Sequence, residues 1–297
     1  STRQVERVHV VGAGLMGGDI AAWCAWRGLE VTLQDREQRF VDAALERARA
    51  LFARKGRRAG QAAACEARLK PDLAGAGVAG ADVVIEAIVE DADAKRALYR
   101  QLEPAMKPGA LLATNTSSLA LEDLGRELAD PSRLVGLHFF NPVAKMMLVE
   151  IVRGASTAES AARDAAAFAR RLDRLPLPCR SAPGFAVNRI LVPYMVEAMH
   201  AAAEGIPLAT IDAAAEEFGM PMGPVELADT VGLDVALHVG RILSSGTGRA
   251  PPATLEPLVE AGHLGRKTGR GLYEWRDGKP VKAAATPAPP DLQDRLV

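Results

Sequence analysis

Cysteine, net charge and long apolar runs are all scarce in this chain, and each scarcity removes a class of function. The three cysteines, Cys24, Cys65 and Cys179, are too few and too scattered for a disulfide framework or a zinc site. They read as buried or neutral thiols in a reducing, cytoplasmic setting. With 36 Lys and Arg against 37 Asp and Glu, the net charge of −1 gives no global field for gripping nucleic acid. Any anionic ligand must be bound by local clusters. Residues Ser1 to Arg7 lack the apolar core of a signal peptide, and the most apolar helix-like stretch is broken by Glu197 and His200, so no membrane span is expected.

What is present is apolar residue in quantity: 48% of 297 residues, enough to bury an ample core in two domains. Short β-branched runs alternate with Ala-rich amphipathic stretches through the first 180 or so residues. This is the pattern of a Rossmann-type, mostly parallel α/β sheet flanked by helices. The expected strands are Val8 to Val11, Val31 to Gln34, Val83 to Ala87, Leu111 to Thr114, Leu134 to Phe139 and Leu148 to Val152. Asp42 to Arg68, Ala-rich and dense in Arg, reads as a helix pair leaving the sheet. The strand signals stop near Arg180 to Gly184, and a smaller all-α domain follows, punctuated by Gly205, Pro207, Gly219, Pro221, Gly223 and Pro224. Residues 1–181 are therefore expected to form a nucleotide-binding domain, 182–276 a helical domain, and 277–297 an Ala/Pro-rich, semi-rigid tail or linker.

Gly12-Ala13-Gly14-Leu15-Met16-Gly17 follows the first strand and opens a helix, and Asp35 closes the next strand. A glycine triplet alone is weak; with strand, helix and acidic residue in place it is a dinucleotide fingerprint. Gly12 and Gly14 let the backbone turn and approach a pyrophosphate, Gly17 permits close helix packing, and the helix start at Leu15 and Met16 faces the anion. Asp35 can accept from both ribose hydroxyls and would repel a 2′-phosphate, which favours NAD over NADP. Arg36 leaves two readings open, contact with adenine or a phosphate against a solvated charge.

The densest chemical signal is Gly136-Leu137-His138-Phe139-Phe140-Asn141-Pro142, with Glu150 at the edge of the next strand. Oxidising a secondary alcohol needs a base for the hydroxyl proton while hydride leaves carbon, and a histidine at the ligand-binding edge of the sheet can serve in both directions. A carboxylate at position 150 can fix the imidazole tautomer and stabilise the imidazolium. Ser117 and Asn188 lie on different segments and can converge on the substrate oxygen, while Asn115, Thr116 and Ser118 organise a turn. His9, His200, His238 and His263 read as structural or surface.

Together with Asn115-Thr116-Ser117-Ser118 and Pro183-Gly184-Phe185-Ala186-Val187-Asn188-Arg189, these motifs resemble the 3-hydroxyacyl-CoA dehydrogenases from about Val8 to Trp275. The resemblance implies His138 as acid/base, Glu150 as its partner, and Ser117 and Asn188 at the substrate oxygen and cofactor region. It implies an L-3-hydroxyacyl-CoA substrate, NAD as cofactor, and a place in fatty-acid β-oxidation. It sets Glu86-Ala87-Ile88-Val89-Glu90 beside the nicotinamide half, so that Glu90 and Lys95, with Asn115, join the cofactor residues. The run Val143-Ala144-Lys145-Met146-Met147 and the Cys179-Arg180-Ser181-Ala182 run depart from the family pattern and bear on acyl preference and loop packing.

No basic residue for the CoA phosphates maps across; Arg47, Arg54, Lys55, Arg57 and Arg58 are candidates by charge, against a solvated helix face. Met16 to Trp23 and Gly219 to Pro224 look most like the dehydrogenase part of multifunctional fatty-acid oxidation proteins, and the last residues resemble the start of their second helical unit. The chain is then expected to be a piece of such a protein, and to pair into a homodimer through its helical domain. Two other readings stand beside this one: a short-chain 3-hydroxyacid dehydrogenase that uses a lysine, and a non-catalytic, crystallin-like nucleotide-binding relative.

Overall fold

The computed structural model describes residues 4–247 and 253–296, with side chains described for all of these but 242–247. It divides into two compact units, Ser1–Phe185 and Ala186–Val297. The division falls after Phe185 rather than after Ser181, because the Phe185 ring is buried in the first unit's core.

In the first unit the strands are β1 (Arg7–Val11), β2 (Glu30–Gln34), β3 (Leu69–Pro71), β4 (Val83–Glu86), β5 (Leu111–Thr114), β6 (Leu134–Phe139), β7 (Leu148–Arg153) and β8 (Leu175–Arg180). They form one sheet in the order β3-β2-β1-β4-β5-β6-β7-β8, parallel except for β6 against β7. The central strands β4, β5 and β6 are buried at every position, as a sheet covered on both faces requires. Helices α1 (Leu15–Trp26), α2 (Gln38–Lys55), α3 (Gln61–Arg68) and α6 (Glu159–Arg171) contribute to one core layer; α4 (Ala92–Ala105) and the short α5 (Leu121–Leu124) contribute to the other. The helix pair expected over Asp42 to Arg68 is thus α2 and α3.

Two strands had no clear signal in the sequence. β3 has three residues, and β8 carries Pro176 and Pro178, which cannot donate to a ladder and are tolerated because this strand sits at the sheet edge. Strand order reverses between β1 and β4, which opens the crevice where such sheets take ligands. Cys24 is fully buried and desolvation pushes its thiol up to about 12, so it stays protonated.

The second unit contains α7 (Val187–Ala203), α8 (Leu208–Phe218), α9 (Pro224–Val231), α10 (Leu233–Thr247), α11 (Glu256–Glu260), the strand pair β9 (Glu274–Arg276) and β10 (Lys279–Val281), and α12 (Leu292–Leu296). Helix α7 runs through Pro193, with Met195, Ala198 and Met199 buried. Gly219 ends α8 with φ of 116°, a conformation costly for any side chain, and Pro224 opens α9 where its missing N–H is no loss.

Two buried aspartates organise this unit. Asp212 accepts from the first-turn amides of α9, Val225 N at 2.8 Å and Glu226 N at 3.2 Å, and from Tyr273 Oη at 2.9 Å. Asp229 accepts from Leu272 N at 2.8 Å and from Tyr273 N and Trp275 Nε1 at 2.9 Å. Burial raises the Asp212 carboxyl's affinity for its proton, against the pull of Lys282, whose Nζ lies 3.0 Å away.

Of the tail or linker expected over 277–297, the described residues form a docked tail rather than a free linker. β10 pairs with β9, Leu292 and Leu296 are buried in the unit's core, and Arg295 pairs with Glu197 and Glu204 at 2.9 and 2.8 Å. An Ala/Pro composition shows that a segment lacks a core of its own; it does not exclude docking on a neighbour's.

Candidate active site

The loop after β1 is shaped by contacts that no side chain survives. A Cβ on Gly12 would fall 2.4 Å from the Ala87 carbonyl oxygen after β4, and one on Gly17 would fall 1.8 Å from the Gly12 oxygen. A Cβ on Gly14 meets nothing within 4 Å, which leaves that side of the loop open at the start of α1, where amide N–H groups and the helix dipole favour an anion. Leu15 is exposed and Met16 is packed partly against the core.

Asp35 accepts from Ala13 N at 2.7 Å and from Arg36 N at 2.7 Å, so it ties β2 to the glycine loop and keeps lone pairs for a ribose. Arg36 is exposed. This arrangement fits a dinucleotide: Gly12, Gly14, Leu15, Met16 and Gly17 at the diphosphate, and Asp35 at the adenosine ribose.

Two of the expected CoA contacts have other occupations. Arg47 donates to the Gly14 carbonyl at 2.9 Å on the flank of the glycine loop, and Lys55 Nζ lies 5.1 Å from the centre of the Trp23 ring. Arg54, Arg57 and Arg58 are exposed at and beyond the end of α2.

His138 and Glu150 face one another in the antiparallel β6–β7 pair, and His138 Nδ1 lies 2.6 Å from Glu150 Oε2. A carboxylate can only accept, so Nδ1 carries the hydrogen and Nε2 of the neutral ring carries the lone pair. Glu150 is 0% exposed and His138 6%, so the interaction is little screened. Phe140 and Phe185 pack on the imidazole with centroids 4.6 and 5.6 Å away. Asn115 Oδ1 accepts from Phe139 N at 2.9 Å, which fixes the end of the histidine's strand.

Ser117 lies on a turn gathered around Glu90. That carboxylate accepts from Thr116 Oγ1 at 2.5 Å, Ser117 N at 2.9 Å and Ser118 Oγ at 3.1 Å. Burial alone would push the Glu90 carboxyl up, but Lys95 and these donors together hold it below the usual carboxylate range.

Lys95 is 1% exposed, wedged 2.6 Å from Glu86 and 3.4 Å from Glu90, so its ammonium is spent on these carboxylates and is not displayed at the surface. Sequence reasoning placed Glu86 only as the first residue of the run beside the nicotinamide half and missed it as the hub of this network. Glu86, fully buried, also accepts from Tyr99 Oη and Thr114 Oγ1 at 2.8 Å. The available signal was a glutamate closing an otherwise apolar strand. Asn188 is half-buried in the first turn of α7 and belongs to the second unit.

Comparisons with known proteins agree in direction. Residues 7–182 match the family description 3-hydroxyacyl-CoA dehydrogenase, NAD binding domain, and residues 184–275 match 3-hydroxyacyl-CoA dehydrogenase, C-terminal domain. The chain is 36% identical over 292 residues to the fatty acid oxidation complex subunit alpha of Psychrobacter arcticus, covering 95% of this chain but only 41% of that protein's length. It is 37% identical to a probable 3-hydroxybutyryl-CoA dehydrogenase of Deinococcus radiodurans, covering 90% of this chain and 99% of that one. The crystal structure of 3-hydroxybutyryl-CoA dehydrogenase from Escherichia coli superposes with a TM-score of 0.88 at 34% identity, covering 97% of this chain and 63% of the other.

Proposed function

The chain belongs to the 3-hydroxyacyl-CoA dehydrogenase family, and from that premise we propose that it oxidises an L-3-hydroxyacyl-CoA to the 3-oxoacyl-CoA in fatty-acid β-oxidation. The observation that carries the reading is the 2.6 Å contact between His138 Nδ1 and Glu150, which leaves Nε2 ready to take the hydroxyl proton. As that proton arrives the ring becomes cationic, and Glu150 stabilises it across the strand pair. The glycine loop and Asp35 would hold NAD, which would serve as the hydride acceptor. Ser117, on a turn fixed by Glu90, would hold the substrate oxygen.

Specificity for the CoA ester falls to exposed cations, with Arg54, Arg57 and Arg58 the remaining candidates. The test follows NADH consumption with acetoacetyl-CoA and NADH formation with a free short 3-hydroxyacid. Turnover of the thioester alone supports the proposal. Turnover of the free acid alone would assign a short-chain hydroxyacid dehydrogenase, and NAD binding without turnover of either would leave a non-catalytic relative.

No helix among the described residues is long and apolar enough to cross a membrane. We place the protein in the cytoplasm, as part of a larger β-oxidation chain or as a homodimer through the helical unit. Sedimentation equilibrium at micromolar concentration decides the last point, a clean monomer excluding the dimer.

A further inference from the structure

Residues 140–147 join β6 to β7 and therefore span the two strands that carry His138 and Glu150. The loop has little core of its own: Val143 is 1% exposed, whereas Met146 and Met147 are 40% and 46% exposed. Its anchors come from the segment that leads into β8. Arg174 Nη2 donates to the Val143 carbonyl at 2.9 Å, Arg174 Nη1 lies 3.6 Å from Met147 Sδ, and Leu175 N donates to the Met147 carbonyl at 2.8 Å.

Arg174 is an unusual choice for a packing role. It is 3% exposed, and among the described residues its Nε has no hydrogen-bond partner and it makes no ion pair within 4 Å, with the more distant Asp173 charge favouring the cation, so its burial is costly. What offsets this is the face of Trp23, 3.9 Å from the guanidinium carbon, and the carbonyls of Val143 and, at 2.8 Å, Asp173. A hydrophobic side chain would fill the same space without that cost. Only the planar fork holds two points of the loop while stacking on an indole. Trp23 is itself fixed, donating from Nε1 to the Leu172 carbonyl at 2.8 Å, and it belongs to α1, the helix that begins at the glycine loop.

We propose that Arg174, stacked on Trp23, is a positioning residue that holds the 140–147 loop and thereby sets the geometry of the His138–Glu150 pair. The proposal rests on reading that pair as the acid/base couple. Arg174 reaches no reacting atom; it acts through the loop, and through Trp23 it ties the catalytic hairpin to the cofactor helix.

The test compares Arg174→Met, Arg174→Lys and Trp23→Phe with wild type. Steady-state kinetics on acetoacetyl-CoA with NADH, NAD affinity, and the titration of the His138 imidazole followed by NMR are measured on each. Arg174→Met is expected to lower kcat by roughly tenfold to a hundredfold, because small displacements of a catalytic group carry penalties of that order. The His138 titration should shift while NAD affinity stays at the wild-type value. Arg174→Lys, which keeps the charge but loses the stacked fork, should fall between, and Trp23→Phe should change least.

A folded Arg174→Met with wild-type kcat, KM and His138 titration would overturn the proposal. If that variant does not fold, the same comparison on Arg174→Lys decides. The NMR titration needs no substrate, so it decides the clamp even if wild type turns over no acyl-CoA, an outcome that would instead sink the proposed function.

Discussion

Both units bury charge, yet they use it differently. In the first, the buried His138, Glu150 and Glu86 lie on β6, β7 and β4, and Lys95 reaches Glu86 from α4, near the edge where the crevice opens. In the second, Asp212 and Asp229 accept from backbone amides and ring donors that would otherwise be orphaned, and glycines make room for them: a Cβ on Gly223 would sit 2.3 Å from Asp212 and one on Gly271 2.2 Å from Asp229. A buried carboxylate is therefore no mark of chemistry in itself. What separates the two cases is whether its partners are folding groups, already satisfied, or a titratable ring with one nitrogen left for a ligand.

Substitutions should pull this comparison apart. His138→Gln is expected to lower turnover by about 10² to 10⁴, the usual worth of acid/base catalysis, with NAD affinity and melting temperature near wild type. A variant that keeps most of its kcat would remove His138 from the mechanism. Asp229→Ala should show the opposite signature, a loss of about 3 to 5 kcal/mol in chemical denaturation because three donors, two of them buried, lose their acceptor, with the remaining folded protein still binding NAD. An unchanged denaturation midpoint would mean that water replaces the carboxylate without loss.

Glu150→Gln should cost roughly tenfold to a hundredfold in kcat, since an amide cannot stabilise the imidazolium as a carboxylate does. Unaltered rate and pH profile would reduce Glu150 to a packing group. Asp35→Ala should narrow the preference for NAD over NADP, read as the ratio of the two kcat/KM values, and a constant ratio would show that this carboxylate does not face the ribose.

The smallest effect concerns His9, which sharpens the comparison from inside the first unit. It is buried with Nδ1 2.8 Å from Thr32 and Nε2 2.9 Å from Gln34, and it plays no part in the proposed chemistry. Burial pulls its pKa below 6.5, against the hydrogen bond to Gln34 Oε1 and the charge of Asp72. The neutral ring is therefore the folded form. Its stabilisation is complete above pH 6.5 and is lost as the pH falls below that value toward the lowered folded-state pKa. His9→Gln should flatten the fall in melting temperature on mild acidification; an identical pH dependence would show that other groups cause it.

The sheet, the glycine loop and the His138 run were legible in the sequence because each has a local signature: a buried parallel strand is a short apolar run, and a tight anion-binding turn needs glycine. The Glu86 network was less so. The resemblance sets Lys95 in the cofactor region, but only the fold brings its ammonium to a strand-end glutamate. The docking of 277–296 was hidden for a related reason, since Leu292 and Leu296 find their partners on distant helices. Arg174 gave no signal at all, because a lone arginine before a proline-bearing strand reads as solvent-facing.

The direct opposition of His138 and Glu150 across an antiparallel ladder has a consequence for how this chain can vary over evolutionary time. Side chains alternate faces along a strand, so sliding β7 by one residue against β6 would send Glu150 to the other side of the sheet. A substitution at the exposed Met146 would leave the register of the strands alone, but a single-residue insertion or deletion passed on to the strand would silence the pair without touching either member. Length change at this hairpin should accordingly be tolerated only where the loop absorbs it as a bulge, which makes the parity of the connection part of the inherited active site.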